Sequence, residues 1–402
     1  MGLFCCKPTY EMKAEPKEED VIRFFMIGMG SAGKSTVIRQ LMKLCVDFPN
    51  SYKMYDDDWK PKENVYSESD RYRWKTIIRQ NIVDSFSKAI KQCKQIGLNF
   101  TDDEQRSAAN EVLNICEESE TLRARIPKVY TEEFARKLLL LYGDENSVIR
   151  KAFNHRHEFA GCFRYPDGVL HFLNPEKIEA YADETFLPDQ SDIIYARDNT
   201  SGLDTYKFRV HGTRIEIHDM GGQAVERKKV LEFLSHWISD TKENHLNFIL
   251  YVASISEYNV QHPVNRQFTL LDESVTFMKL ILSLSQVRQC GFLIFLNKCD
   301  IFEEKIMDPI LKADFRKYLS DYISKDDLEQ YEKGQKVHVN KMRTAIANLF
   351  AKSVTSAAVK REAPVYHRFT CAVDSKMMES IFSTIRSELL TRKLSSNEWI
   401  LP

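Results

Sequence analysis

The stretch from Gly28 to Thr36 reads GMGSAGKST, and Gly28 to Ser35 fits the spacing G-x4-G-K-[S/T]. Glycines at 28, 30 and 33 let a loop turn its backbone N–H groups around a phosphate chain. Lys34 is then placed to reach β- and γ-phosphates, and the Ser35 hydroxyl to ligate Mg²⁺. Gly28, Ser31, Ala32, Gly33, Lys34, Ser35 and Thr36 are the candidate phosphate-binding positions. The preceding run VIRFFMI is almost wholly apolar, as a buried parallel strand must be. Val37, Ile38, Leu41, Leu44 and Cys45 follow at helical spacing, so the loop opens a helix and gains its positive dipole end.

A phosphate loop predicts a nucleoside triphosphate without naming the base. NKCD (297–300) follows a second buried run, GFLIFLN, where ligands bind open α/β sheets. The Asp300 carboxylate can accept both N1–H and the exocyclic amine of guanine, a donor pair that adenine lacks. Asn297 can orient the loop, and the stem of Lys298 can cover the ring. In TCAVD (370–374) the backbone N–H groups of Cys371 and Ala372 are candidates for the guanine O6, although the motif alone also fits a simple strand end.

HDMGGQ (218–223) ends the strand TRIEI. Asp219 is the expected carboxylate partner of Mg²⁺, through water. Gly222 can donate its N–H to the γ-phosphate, and Gln223 can orient an attacking water. DIIYARDNTSG (192–202) supplies Thr200 as a second Mg²⁺ ligand and Arg197 as an arginine finger in cis. Taken alone, those two are ordinary surface residues; their place ahead of Asp219 gives them weight.

Six strand-like runs and intervening helical patterns predict an α/β sheet with helices on both faces. TYKFRV and TRIEIHD alternate around His211-Gly212 and read as a hairpin. From 56 to 191 the texture is helical throughout. Ile78, Ile82, Phe86 and Ile90 share one face, as do Phe134, Leu138 and Leu141, then Val148, Ala152 and Phe153. The expected division is a short segment 1–20, an α/β domain from 21–55 and 192–402, and an inserted all-α domain at 56–191.

The 402 residues are 43% hydrophobic and 29% charged, enough for a sizeable core. A net charge of −1 argues for no nucleic-acid partner. No apolar run approaches the ~18 residues of a membrane span, and no signal-peptide pattern opens the chain. Nine cysteines without metal spacing read as reduced, mostly buried thiols. The opening MGLFCCKP places Gly2 where N-myristoylation occurs, with Cys6 where the motif wants Ser or Thr. Cys5 and Cys6 are S-acylation candidates, and two chains anchor firmly where one does not; an unmodified tail is the alternative.

Together GMGSAGKST, DIIYARDNTSG, DMGGQAVERKK, NKCD and TCAVD, in this order and around a helical insertion, resemble the α subunits of heterotrimeric G proteins. The resemblance covers nearly the whole chain. It implies a Ras-like phosphate-loop GTPase domain with a doubly wound, mostly parallel sheet plus an inserted all-helical domain. It implies a slow Mg²⁺-dependent GTP/GDP switch with Lys34, Ser35, Thr200, Asp219, Arg197 and Gln223 in the roles above. It further implies a peripheral protein at the cytoplasmic face of the plasma membrane, lipid-attached, with Gβγ, a seven-helix receptor or other exchange factor, regulators of GTP hydrolysis and an effector as partners.

The chain departs from the family at several points. Ser31 and Ala32 stand where Glu and Ser are usual, so no ion pair to Arg197 can form, and a less constrained Arg197 with faster nucleotide release is expected. Ala224 and Val230 replace Arg and Trp, leaving Trp237 the nearest indole. The segment 256–268 lacks the usual acidic cluster of the third switch, which predicts weak coupling to the second. Pro8 and Pro16 shorten any helix ahead of Gly28, weakening the Gβγ contact there. The segment 303–366 is expected to be a helix plus a surface insertion, and the carboxyl-terminal helix to bury Ile381, Ile385, Leu389 and Leu390. Two other readings stand beside the switch: a GTP-binding scaffold that hydrolyses little, and a phosphate-loop ATPase or kinase, which NKCD opposes.

Overall fold

The computed structural model describes residues 19–117, 129–156, 168–198, 202–223, 227–308, 311, 314–315, 322–333, 339–358, 361 and 363–392. Strand β1 (Val21–Gly28) is buried at every position, which requires cover on both faces. It lies at the centre of a seven-stranded sheet of order β2-β3-β4-β1-β5-β6-β7, with β2 Tyr52–Tyr55, β3 Leu203–Val210, β4 Thr213–Met220, β5 His245–Ser254, β6 Gly291–Asn297 and β7 Val365–Thr370. β4, β1, β5, β6 and β7 run parallel, while β3 runs antiparallel to both of its neighbours, β2 and β4. The β3–β4 turn places His211 and Gly212 at φ of 44° and 85°, the paired positive values of a tight hairpin.

One face of the sheet is covered by α1 (Lys34–Asp47) and α13 (Ser375–Arg392), through Val37, Ile38, Leu41, Met378, Phe382 and Ile385. The buried face of α13 is thus Met378, Phe382 and Ile385, with Ile381 only partly buried. Ile385 was expected there, and Ile381 packs against the same core; Met378 and Phe382 were not singled out by the sequence pattern. The side chains of Leu389 and Leu390 lie outside the described residues. The other face is covered by α8 (Val230–Ser239), α9 (Leu270–Ser283), α10 (Cys299–Met307) and α12 (Val339–Ala357); α11 (Lys325–Glu332) adds Tyr331 to the same core.

A separate core is formed by α2 (Glu68–Gln95), α3 (Asp103–Glu117), α4 (Glu132–Tyr142), α5 (Val148–Asn154), α6 (Pro175–Ala180) and α7 (Gln190–Tyr195). Ile78, Ile82, Phe86 and Ile90 of α2 are fully buried in it. Ser67 caps α2 with a reciprocal capping box to Asp70. The edge strand β2 was not foreseen. Its four residues come from a polar, aspartate- and lysine-rich stretch without a long alternating run, and pairing with β3 makes the strand. Tyr52 also packs on His211, and its hydroxyl donates to the Glu379 carbonyl of α13.

A buried cation ties the sheet centre to its helical cover. Arg23 of β1 sits opposite Glu216 of β4, is 1% exposed, and pairs with Glu216 at 3.0 Å. It also donates to the Trp237 carbonyl at 3.3 Å and lies over that indole at 5.1 Å. Burial would raise the Glu216 carboxyl, but bonds and charge from His218 and Arg23 outweigh it and hold it at about 2. A depressed carboxyl stabilises the fold above its unfolded value of about 4.3 and loses that contribution as pH falls toward the folded value. Glu216→Gln should therefore cost about 3 kcal/mol at pH 7, read by urea unfolding, and the gap to the native protein should close as pH falls from about 4 to 2. A gap of constant size across that range would contradict this.

Candidate functional site

The loop from Gly28 to Gly33 is closed at both ends by contacts that leave no room for a side chain at either glycine. A Cβ on Gly28 (φ +153°) would lie 2.2 Å from the Val252 carbonyl of β5, and one on Gly33 (φ +101°) 2.2 Å from Asn297 Nδ2. The Lys34 ammonium, 5% exposed, donates to the carbonyls of Gly28 and Met29 at 3.1 Å each. Burial lowers its pKa to about 8, with Asp219 opposing the shift. Gly222 packs against that ammonium: a Cβ there would lie 2.2 Å from Lys34 Nζ.

Asp219 ends β4 beside the loop, 1% exposed. Its Oδ2 accepts from Ser35 Oγ at 3.4 Å, and its Oδ1 is buried without a hydrogen-bond partner. Burial pushes this carboxyl up to about 6, only partly offset by Lys34. A buried carboxylate oxygen with an unused lone pair, next to a serine hydroxyl, fits a hard divalent cation bound directly or through water. Ser35 and Asp219 would hold it. Thr200, the other expected ligand, lies outside the described residues.

Asn297 joins three of the motifs. Its Nδ2 donates to the Ala32 carbonyl at 2.8 Å, and its Oδ1 accepts from Thr370 Oγ1 at 3.0 Å and from the Ala372 N–H at 3.1 Å. Cys371 and Ala372, the expected N–H donors to a base, already have acceptors within the protein. The Ala372 N–H is committed to Asn297, and the Cys371 N–H to Met377 Sδ at 3.2 Å. Lys298 adopts φ +63° to begin α10. Asp300 is exposed and, after burial, helps push the neighbouring Cys371 thiol up to about 12.

A cavity of about 320 Å³ brings these elements together, which is the size of a small-molecule site. Its lining includes Ser31, Gly33, Lys34, Ser35 and Thr36 of the loop; Gly222 and Gln223; and Arg197. It also includes Asn297, Lys298, Asp300, Cys371 and Ala372. Gly28, Ala32 and Asp219 are not part of the lining; they shape the loop and its floor from behind. Gln223 is exposed and lies over the loop, with its Nε2 3.2 Å from where a Gly30 Cβ would sit.

Arg197 is better held than its neighbourhood in sequence suggested. Its guanidinium donates to Ser31 Oγ at 3.0 Å, so a hydrogen bond to an uncharged hydroxyl occupies the place of the missing ion pair. Its backbone is held by Asn81 of α2. Arg39 of α1 supports the same segment, donating to the carbonyls of Ile193 at 2.8 Å and Ala196. Arg156 and Glu304, both on the cavity wall, form a 2.6 Å ion pair between the helical core's α5 end and α10. None of these partners was named from sequence. Asn81 carried a readable signal, an amide on the buried stripe of α2; Arg39, Arg156 and Glu304 carried none.

The third-switch segment is in contact with the second through an acid that its own sequence lacks. Arg227 pairs with Glu273 of α9 at 2.8 Å, and Glu273 with His262 at 3.4 Å. The acid that joins the two segments comes from α9, outside 256–268. The lipidation candidates Gly2, Cys5 and Cys6 lie outside the described residues.

Comparison with known proteins agrees with this geometry. The family model of the G-protein alpha subunit matches residues 8–389. Relatives include guanine nucleotide-binding protein subunit alpha-15 of Mus musculus, 25% identical over 96% of this chain and 90% of its own length. The Homo sapiens alpha-15 subunit is 26% identical over 94% of the chain and 90% of its own length. The alpha-12 subunit of Dictyostelium discoideum is 23% identical over 94% and 92%. With a family model matched over nearly its whole length, the chain belongs to the G-protein α subunit family as a divergent, guanine nucleotide-binding member.

Proposed function

We propose that this protein binds GTP with Mg²⁺, hydrolyses it slowly to GDP and phosphate, and signals through the loss of the γ-phosphate. The observation that carries this reading is that Lys34, Ser35, Arg197, Gln223 and Asp300 line the same cavity. Lys34 and the backbone amides of the loop bind the β- and γ-phosphates. Asp300 and the stem of Lys298 read and cover guanine. Ser35, Thr200 and Asp219 hold the cation, which when bound supplies charge neutralisation on the phosphate oxygens. Gln223 orients the attacking water, Gly222 donates to the γ-phosphate, and the Arg197 guanidinium neutralises charge that develops on it.

Arg197 has to leave Ser31 Oγ, or share that bond, to serve the γ-phosphate. A bond from the guanidinium to an uncharged hydroxyl lacks the ion-pair attraction of one to a carboxylate, so this finger is released more cheaply than one paired to glutamate. Loss of the γ-phosphate frees Gly222 and the Gln223 segment, and the Arg227–Glu273–His262 chain carries that change toward 256–268. A seven-helix receptor or another exchange factor resets the switch; Gβγ, regulators of hydrolysis and an effector are its further partners. Lipid on Gly2, Cys5 or Cys6 holds the protein peripherally at the cytoplasmic face of the plasma membrane.

Single-turnover phosphate release from GTP with Mg²⁺ tests the chemistry. Gln223→Leu should bind GTP yet stall, and Arg197→Ala should slow release by roughly 10³-fold. Native protein that binds GTP and releases no phosphate would leave the scaffold reading in its place. Ser31→Glu should slow GDP release by about tenfold, by adding an ion pair to Arg197 across the cleft; an unchanged release rate would count against the role given to Ser31.

A further inference from the structure

The segment that carries Arg197 belongs to no sheet. Helix α7 ends at Tyr195, with Ala196 already extended at φ −66° and ψ 144°. Beyond that point the chain has no helical ladder to satisfy its peptide groups, and unpaired peptide groups in a half-buried wall are costly. Asn81 of α2 supplies what is missing. Its Oδ1 accepts the Arg197 N–H at 2.6 Å, and its Nδ2 donates to the Arg197 carbonyl at 3.0 Å. A carboxamide carries one acceptor and one donor group in a plane, so it pairs with a residue's backbone as a neighbouring strand would.

Asn81 is itself a stiff support. It is 7% exposed and lies among Ile78, Ile82 and Ser85 on the buried stripe of α2, whose Ser85 hydroxyl donates to its carbonyl at 2.7 Å. Arg39 and Arg73 hold the flanking residues, at Ile193 and Ala196 on one side and Asp198 on the other, and both lie over Trp74 of the same helix. Asn81 is the one of the three that grips Arg197 at its own backbone. Two bonds on one residue fix the direction of its Cα–Cβ vector, and from there the guanidinium reaches Ser31 over the phosphate loop.

The geometry points to Asn81 as a positioning residue for the GTPase reaction: a side chain of the helical insertion that presets the Arg197 guanidinium over the γ-phosphate position. This rests on the reading of Arg197 as the finger. A long side chain anchored at its root loses fewer degrees of freedom on engaging the transition state, and displacement of such a group by about 1 Å can cost 10²-fold in rate. The effect acts on hydrolysis and not on affinity, because Asn81 lies outside the cavity lining and GTP binding draws on the loop, Asp300 and the cation ligands.

The test is a double-variant cycle on the full chain, reading single-turnover phosphate release from GTP with Mg²⁺ and, separately, GTP affinity. Asn81→Ala should slow release by about tenfold while affinity stays within about twofold. Asn81→Asp, which keeps an acceptor for the N–H and has no donor for the carbonyl, should fall between native and Asn81→Ala. In an Arg197→Ala background, Asn81→Ala should change the rate no further, since a support acts only through the group it supports. A native rate in Asn81→Ala alongside a slow Arg197→Ala overturns the assignment, as do losses that multiply in the double variant. If Asn81→Ala fails to bind GTP, Asn81→Asp decides by the same cycle. A native rate in Arg197→Ala alone removes the finger from the proposed mechanism, and Asn81 with it; that outcome is read before any Asn81 variant is made.

Discussion

Two opposite charges buried at the carboxyl end of the central strands set the terms for the rest of the molecule. Lys34 and Asp219 are 5% and 1% exposed, and burial moves both toward their neutral forms, the amine down to about 8 and the carboxyl up to about 6. Lys34 is held by two carbonyls, while one Asp219 oxygen has no hydrogen-bond partner. Desolvating charges in this way costs several kcal/mol per ion. Under the proposed function, polyanionic phosphate beside Lys34 and a divalent cation beside Asp219 would offset that cost, so the arrangement would favour the pair of ligands over either one.

The fold supports this by close backbone approach. Parallel β1, β4 and β5 bring Gly28, Asp219 and Val252 to one end of the sheet. Gly33 and Gly222 leave space that Asn297 Nδ2 and Lys34 Nζ fill. Asn297 then links the loop to β7 and to the turn after it, so the phosphate end and the base end of the cavity are joined through one buried amide. The helical core adds the wall: its α2 holds Arg197, and its Arg156 pairs across the cavity with Glu304.

Much of this was legible in the chain. Motifs whose chemistry depends on a local run, such as Gly28 to Ser35 or Asn297 to Asp300, reveal their elements because strand, loop and helix are contiguous. The stripe of Ile78, Ile82, Phe86 and Ile90 showed α2 for the same reason. What stayed hidden depends on distant partners. Strand β2 exists because β3 offers it an edge, and on α13 helical spacing found Ile385 but did not single out Met378 and Phe382. The contact of Arg197 with Ser31, and the bridge from Arg227 through Glu273 to His262, join residues far apart in sequence. Both were expected to be weak because each familiar acid was missing from its usual place; a hydroxyl and an acid from another element serve instead.

The most direct test of the central claim is the thermal midpoint of the full chain with slowly hydrolysed GTP or ATP analogues, with and without Mg²⁺. A ligand that binds only the folded protein raises the midpoint in proportion to its binding free energy. The buried Lys34–Asp219 arrangement and the Asp300 base site predict a rise of several degrees with the GTP analogue and Mg²⁺, a smaller rise when Mg²⁺ is chelated, and none with the ATP analogue. Equal rises with both analogues, or no rise with guanine nucleotide, would contradict it.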